Sequence, residues 1–276
     1  IIIHVYYKGG IMNKKKIILT IITFILFLIV FFLSYLVFNK YVLKRNFEDN
    51  IISFANKNQQ TIFEINKVAL FSSCDAKNKN ISSTNYTIEN LYQYTDIALF
   101  VSNNSKENNF ENTFKQVYIE NINFNTPPSI GEPKLYFKSI NNFSKSSIID
   151  ENIINDKLDF NITSDDTANL DTPTLYNNLA NPITLSYVNS NIKSDYTITN
   201  TSSPITYDGS LLKTCNIALD SIKCNLSFDI YIINNLDQQF KSTVYIDIPL
   251  QKDEKTIYDG NIILKSDTNF KFYRYK

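Results

Sequence analysis

The densest group of residues that could do chemistry is a run of acids between residues 150 and 171. Its members are Asp150, Glu151, Asp156, Asp159, Asp165, Asp166 and Asp171. The segment also fits the first, third, fifth and seventh positions of a calcium-binding loop, with Asp159, Asn161, Thr163 and Asp165. Ser164 replaces the required glycine, however, and Leu170 replaces the bidentate glutamate. A solvated acidic loop explains the cluster equally, so Asp159, Asn161, Asp165 and Asp166 are weak metal candidates and no cofactor is predicted.

Three cysteines offer a second kind of chemistry. Cys215 and Cys224 flank "NIALDSIK", and a hairpin centred on Leu219 and Asp220 would place them opposite each other. They are therefore candidates for a disulfide if this part of the chain lies in an oxidising compartment. Two reduced thiols in a β core are the open alternative, because Leu-Asp is a poor two-residue turn. Cys74 would be left over if the other two cysteines paired. Its thiol is expected to be inert, since no histidine is near it in the sequence to activate it.

The sequence also excludes several kinds of catalytic site. The only histidine is His4, near the start, so Ser-His-Asp and Cys-His arrangements and histidine-based metal sites cannot be assembled in the rest of the chain. The three glycines after residue 10, Gly131, Gly209 and Gly260, are not in a phosphate-binding motif. We therefore predict a protein without enzymatic activity. A hydrolase that uses two carboxylates, for example on cell-wall glycans, is the alternative.

Two matching Asp-Gly segments predict turns. "ITYDGSLLK" (205–213) and "TIYDGNIILK" (256–265) share Tyr-Asp-Gly followed by apolar residues and lysine. Asp-Gly between β-prone flanks is typical of a type I′ hairpin, because that turn needs positive φ angles that glycine adopts readily. The sequence therefore predicts two hairpin turns, with a functional Asp208–Asp259 pair or a duplicated module as the alternatives.

The N-terminal region predicts a membrane span. Lys14, Lys15 and Lys16 precede an uncharged apolar run at 17–38. Its 22 residues form a helix of about 33 Å, against a bilayer core of about 30 Å. No small residues follow that would permit signal cleavage, so we predict a signal anchor followed by a juxtamembrane helix or linker at 39–58. Lys40, Lys44 and Arg45 follow the span, so the positive-charge bias is nearly balanced. We expect the short basic tail, 12–16, in the cytoplasm and the domain after the span outside, as in a signal anchor, with the opposite topology as the alternative.

Residues before Met12 have the character of a translated leader. "KGGI" at 8–11 can be encoded by AAA GGA GGA AUU, a purine-rich ribosome-binding signal directly before a methionine codon. We therefore predict that 1–11 is a leader and that the gene is bacterial, with a disordered N-terminal tail as the alternative. In either case His4 lies outside the part of the chain that is expected to carry the function.

The net charge of zero conceals an uneven distribution. Residues 1–45 carry seven Lys or Arg and no acid, which leaves 20 basic against 27 acidic residues for 46–276. Residues 46–276, called the body below, therefore have a net charge of −7. The body lacks the clustered positive charge that nucleic-acid binding depends on. No nucleic-acid partner is therefore predicted.

The pattern of the body is that of β-strands. "TVYIDIPL" and "LSFDIYIIN" alternate apolar and polar residues, and similar alternation recurs along the chain with few helical periodicities. Many short alternating strands predict an all-β fold over 59–276, an antiparallel β-sandwich of immunoglobulin-like or similar type. The polar stretch 141–156 is a possible subdivision, and one elongated sandwich is equally compatible.

Together these features predict a single-pass bacterial membrane protein. Residues 17–38 would contact the lipid bilayer, and the extracytoplasmic β-domain would bind an envelope protein or a glycan without catalysing a reaction. The alternatives are the carboxylate-dependent hydrolase and an accessory subunit of a membrane complex. The apolar run lacks a Gly-x-x-x-Gly seam for close helix packing, which disfavours the subunit.

Overall fold

The computed structural model describes residues 14–56, 62–81, 86–103, 113–148, 150–177, 182–199 and 205–276. The chain divides into two compact units, 1–59 and 60–276. The first contains one long helix and the second is built mainly of strands. The predicted leader, 1–11, and His4 lie outside the described residues.

The first unit contains helix α1, Lys14–Asn56. Its 43 residues give a length of about 65 Å. Among the described residues, α1 is the one helix long and apolar enough to cross a membrane, over Lys15–Glu48 with a mean hydropathy of 3.1. The apolar side chains of 17–38 are exposed. The hydroxyls of Thr20 and Thr23 donate to backbone carbonyls one turn earlier, so these two polar groups are satisfied within the helix.

The second unit contains fourteen described strands and one short helix. The strands are β1 Phe63–Ile81, β2 Tyr86–Asn103, β3 Phe114–Thr126, β4 Glu132–Phe137, β5 Lys157–Thr163, β6 Thr174–Tyr176, β7 Ile183–Lys193, β8 Tyr196–Ile198, β9 Asn225–Asn234, β10 Gln239–Asp247, β11 Gln251–Lys252, β12 Lys255–Thr256, β13 Ile262–Lys271 and β14 Tyr273–Arg274. Helix α2 spans Ser210–Thr214. The all-β prediction for this part of the chain is confirmed.

Twelve of these strands form two six-stranded sheets that pack face to face. Sheet 1 has the order β13-β1-β2-β7-β4, with β8 also paired to β2, and sheet 2 has the order β14-β10-β9-β3-β5-β6. The strand pairs are antiparallel except β5 with β6. The stretch 141–156 connects β4 of sheet 1 to β5 of sheet 2. Each sheet contains strands that precede this stretch and strands that follow it. Residues 60–276 form one compact unit.

The core between the sheets follows the predicted alternation. Leu226, Phe228, Ile230 and Ile232 of β9 are fully buried, as the sequence pattern indicates. Phe63 of β1 contacts three aromatic rings, with centroid distances of 5.8 Å to Phe114, 5.2 Å to Phe240 and 6.4 Å to Phe272. Because Phe114 and Phe240 belong to sheet 2, this aromatic group joins the two sheets.

The two Asp-Gly segments are not hairpin turns, so that prediction is wrong. Asp208 precedes α2 and its Oδ1 accepts the backbone N–H of Ser210 at 2.8 Å, in a local turn that leads into the helix. Asp259 lies in a short 3₁₀ turn and accepts the N–H of Thr256 at 2.9 Å, and Gly260 follows with φ of 121°. In both places the carboxylate bonds to nearby backbone and stabilises a helical turn instead of a strand connection.

The same two segments pack against each other through Gly209. A Cβ at this position would overlap the backbone carbonyl oxygens of Gly260 and Ile257. Backbone atoms cannot move aside as a flexible side chain can, so we expect Gly209→Ala to lower the free energy of unfolding by about 1–3 kcal/mol. Urea unfolding followed by circular dichroism measures this. Lys213→Ala on the exposed side of α2 is the control, and an equal effect of both changes would contradict the close contact.

Candidate functional site

A segment between β4 and β5 covers the outer face of sheet 1. Residues 138–148 and 150–153, called the strap below, place Ile148 and Ile153 against Tyr94, Tyr136 and Val188 of the sheet. A β-bridge between Tyr136 and Ile153 holds the end of the strap at the edge strand β4. As a result β2 is buried at every position over 93–99, on both its core side and its strap side.

Beneath the strap lies a buried ion pair. The Nζ of Lys138 is 3.6 Å from Oδ1 of Asp96, and their side chains are 4% and 0% exposed. The Lys138 ammonium also donates to the backbone carbonyls of Lys145 at 2.6 Å and Ser147 at 2.9 Å. The lysine therefore ties the strap to the sheet as well as neutralising the carboxylate.

The Asp96 carboxylate is bonded on both oxygens. Its Oδ1 accepts the hydroxyl of Ser186 at 2.6 Å, and its Oδ2 accepts the backbone N–H of Ser144 at 2.7 Å. Ser144 has a positive φ of 64°, a conformation that a serine adopts at some cost in energy. The strap backbone is thus shaped to bring this N–H onto the carboxylate.

Burial dominates the electrostatics of the pair. It raises the pKa of Asp96, although Lys138, Ser186 and Ser144 oppose the change. It lowers the pKa of Lys138, although Asp96 opposes this. Both changes favour the neutral forms of the two groups, because a charged group loses its hydration when it is removed from water.

A cavity of about 390 Å³ opens beside the pair. Its wall is about equally polar and apolar and consists of Tyr136, Phe137, Lys138, Ser139, Asn141, Asn142, Lys145, Ser147, Ile148, Asn152, Asp171, Ser186 and Val188. This volume falls in the range of small-molecule binding sites. It is the strongest candidate for a functional site among the described residues.

The acid on the wall of this cavity is Asp171, a member of the acidic run. Its Oδ1 accepts the hydroxyl of Ser139 at 2.5 Å and the amide of Asn141 at 3.1 Å. These two hydrogen bonds lower the pKa of Asp171. Glycoside hydrolysis needs two acids that face the substrate. Here Asp171 faces the cavity, while the oxygens of Asp96 are already bonded to Ser186 and Ser144.

The weak metal candidates are dispersed over β5 and the turn that follows it. Asp159 pairs with Lys157, with 2.8 Å between Nζ and Oδ1, and Asn161 is exposed on the same strand. Asp165 accepts the backbone N–H of Thr167 at 2.9 Å. Asp166 is exposed beside it. Within the described parts of the chain, no three His, Cys, Asp or Glu residues are grouped so that they could hold a metal ion.

Cys74, Cys215 and Cys224 are free and buried in the structure. The hairpin expected between Cys215 and Cys224 is wrong, because Cys215 directly follows α2 as its C-cap and the next segment contains a 3₁₀ turn at Leu219–Ser221. Burial raises the pKa of all three thiols, to about 11 for Cys215. These side chains serve as small apolar residues of the core.

The buried thiols predict slow alkylation. With a pKa of about 11, the thiolate form of Cys215 is only about a thousandth of the total at pH 8. We therefore expect iodoacetamide to modify the native protein slowly and the urea-unfolded protein completely, as measured by mass spectrometry. Rapid modification of any of the three cysteines in the native state would contradict the buried, protonated arrangement.

Tyrosines on the outer face of sheet 2 form a second aromatic group. Tyr118 and Tyr231 stack at 4.7 Å with an interplanar angle of 8°. The Nζ of Lys157 lies 4.2 Å from the centre of the Tyr118 ring, and Tyr275 contacts Tyr231 edge-on at 5.8 Å. Tyr118 and Tyr231 cover each other in part, while Tyr275 remains 42% exposed. Their cross-strand contacts stabilise the sheet.

The buried pair and the strap were not predicted from the sequence. Asp96 occurs in an alternating strand, and Lys138 is 42 positions away beside the polar stretch taken as a possible boundary. Only the antiparallel order β2-β7-β4 brings them together. Searches against family models, characterised proteins and solved structures found no match to this chain.

Proposed function

We propose that the chain is a single-pass membrane protein of a bacterial envelope, with a β-sandwich that binds a partner and catalyses no reaction. The apolar run of α1 carries this proposal. It has 22 residues without a charge, and its side chains are exposed along the whole run. An apolar surface of this length is unstable in water and favourable in lipid.

The arrangement of the span supports an extracytoplasmic β-domain. Basic residues flank the span on both sides, Lys14, Lys15 and Lys16 before it and Lys40, Lys44 and Arg45 after it, so the positive-charge bias is nearly balanced. A short basic tail is nevertheless held readily in the cytoplasm, and a long domain after the span is translocated largely regardless of its charge. The anionic surface of the inner leaflet would also repel a body with a charge of −7.

The cavity under the strap supports a binding role. The amides of Asn142 and Asn152 line it, and the charges of Lys138 and Asp96 are already neutralised by each other. Amide groups pair well with the hydroxyl and amide groups of a glycan or an envelope protein. Among the described residues on its wall, Asp171 carries the one carboxylate, which favours binding over hydrolysis.

Charged residues in the span test the anchoring. Leu28 and Phe31 lie near the middle of the apolar run. Replacing both by arginine costs about 5–7 kcal/mol of insertion free energy, from about 2.5–3.5 for each residue. We expect wild-type protein to stay in the membrane pellet after an alkaline carbonate wash and the double variant to be largely released. The matched control is the Leu28→Ala, Phe31→Ala variant, which should stay in the pellet.

Protease treatment of intact cells tests the orientation. The β-domain of the wild-type protein should be degraded when protease is added outside intact cells or, for a two-membrane envelope, outside spheroplasts. Protection of the domain until the cytoplasmic membrane is lysed would overturn the proposed topology. Recovery of the wild-type chain in the carbonate wash would overturn the anchor itself.

A further inference from the structure

We propose that Lys138 and Asp96 condense to an isopeptide bond between Nζ of the lysine and Cγ of the aspartate, with release of one water molecule. This modification is independent of the membrane topology. The two groups are held together without freedom to separate, since both side chains are enclosed and 3.6 Å separates Nζ from Oδ1.

The sheet fixes the two backbones relative to each other. Asp96 lies in β2, directly opposite Ser186 of β7. Lys138 continues the β4–β7 ladder, because its N–H donates to the carbonyl of Thr184 at 3.2 Å and its carbonyl accepts the Thr184 hydroxyl at 2.5 Å. Fixing two reactants in this way replaces a collision by an intramolecular step with a high effective concentration.

The hydrogen bonds around the pair suit attack by a neutral amine. Two N–H groups of Lys138 donate to the carbonyls of Lys145 and Ser147, so a neutral amine held by the same bonds keeps a lone pair for the carboxyl carbon. Ser186 and Ser144 donate to the two carboxyl oxygens of Asp96. These donors polarise the carboxyl group and stabilise the oxyanion of a tetrahedral intermediate.

The step balances without any other reactant. A proton passes from the ammonium to Oδ1 of the carboxylate and gives an amine and a carboxylic acid, the forms that burial favours for both groups. The amine nitrogen then bonds to Cγ, and a second amine proton reaches Oδ1 through the Ser186 hydroxyl. The Cγ–Oδ1 bond breaks and water leaves. Lys138 and Ser186 both line the cavity, which gives the water an exit.

A second ion pair in the same domain provides a matched comparison. Lys241 and Asp229 are closer, with 2.8 Å between Nζ and Oδ2, but the lysine side chain is 38% exposed. The pKa of Asp229 is lowered, and the hydrogen bond to Asp229 raises the pKa of Lys241, so both groups stay charged. A protonated amine has no lone pair, and this pair should remain unlinked.

Mass spectrometry of the full chain in detergent tests the proposal. Wild-type protein should be lighter than its sequence mass by one water. Digestion should give a branched peptide that joins Asp96 to Lys138. Lys138→Arg and Asp96→Ala should each restore the full mass, while Lys241→Arg should keep the loss of one water. The linked fraction should fall from most of the chains to none in the first two variants.

The wild-type digest decides the question even if a variant fails to fold. Linear peptides containing Asp96 and Lys138, together with an intact mass equal to that of the sequence, would overturn the proposal and leave a simple ion pair. A branched peptide through Asp229 and Lys241 would also overturn it, because burial would then not be what selects the reacting pair.

Discussion

Replacement of Lys138 by methionine is expected to lower the free energy of unfolding by about 3–5 kcal/mol. Methionine fills a similar volume but leaves the enclosed Asp96 carboxylate without a cation. It also leaves the carbonyls of Lys145 and Ser147 without their donor. Loss of an isopeptide bond would add to this effect, since a covalent link restricts the unfolded chain. Urea unfolding of the detergent-solubilised chain, followed by circular dichroism, measures the change.

Two further variants separate the cause from a general loss of packing. Lys241→Met removes the more exposed partner of Asp229 and should cost about 1 kcal/mol or less. The double variant Asp96→Leu, Lys138→Met removes both charges and should be more stable than Lys138→Met alone. Equal stability of Lys138→Met and Lys241→Met would show that burial of the Lys138–Asp96 pair does not increase its contribution to the free energy of unfolding.

Truncation of Phe63 to alanine is expected to cost about 3–5 kcal/mol. The ring is fully buried and contacts Phe114, Phe240 and Phe272. Its removal leaves a cavity at the place where β1 of sheet 1 meets two phenylalanines of sheet 2, and three rings lose a neighbour. The same urea measurement applies, and the midpoint should fall without loss of cooperativity.

Tyr245→Ala is the control for this truncation. Tyr245 is 60% exposed on β10, so its removal opens no cavity and should change the stability by no more than about 0.5 kcal/mol. If Phe63→Ala were as stable as Tyr245→Ala, the aromatic group would not be what joins the two sheets.

Local patterns in the sequence were sufficient for the main elements of the fold. The uncharged run at 17–38 predicts a helix because nothing in it interrupts apolar character, and α1 is continuous through it. The alternation in "LSFDIYIIN" predicts a strand with one core face, and β9 buries Leu226, Phe228 and Ile230 as expected. Both signals depend only on residues close together in the chain.

Features that depend on distant residues were not predictable in this way. The Asp-Gly segments predicted hairpins from local chemistry, but Asp208 and Asp259 each bond to nearby backbone and the two segments then pack together. Asp96 and Lys138 meet only after β2, β7 and β4 have paired. The strap looked like a linker because its polar residues face the cavity and solvent rather than a strand partner.

The position of β1 in its sheet affects how the protein is made. This first strand lies between β2 and β13, and the N–H of Phe272 donates to the carbonyl of Phe63 across more than 200 positions of sequence. Residues 262–271 are synthesised long after β1, so the nascent chain cannot complete sheet 1 until they have emerged from the ribosome. Until then β1 keeps one edge unpaired, and a prematurely terminated product would carry that open edge permanently, where it could recruit another chain.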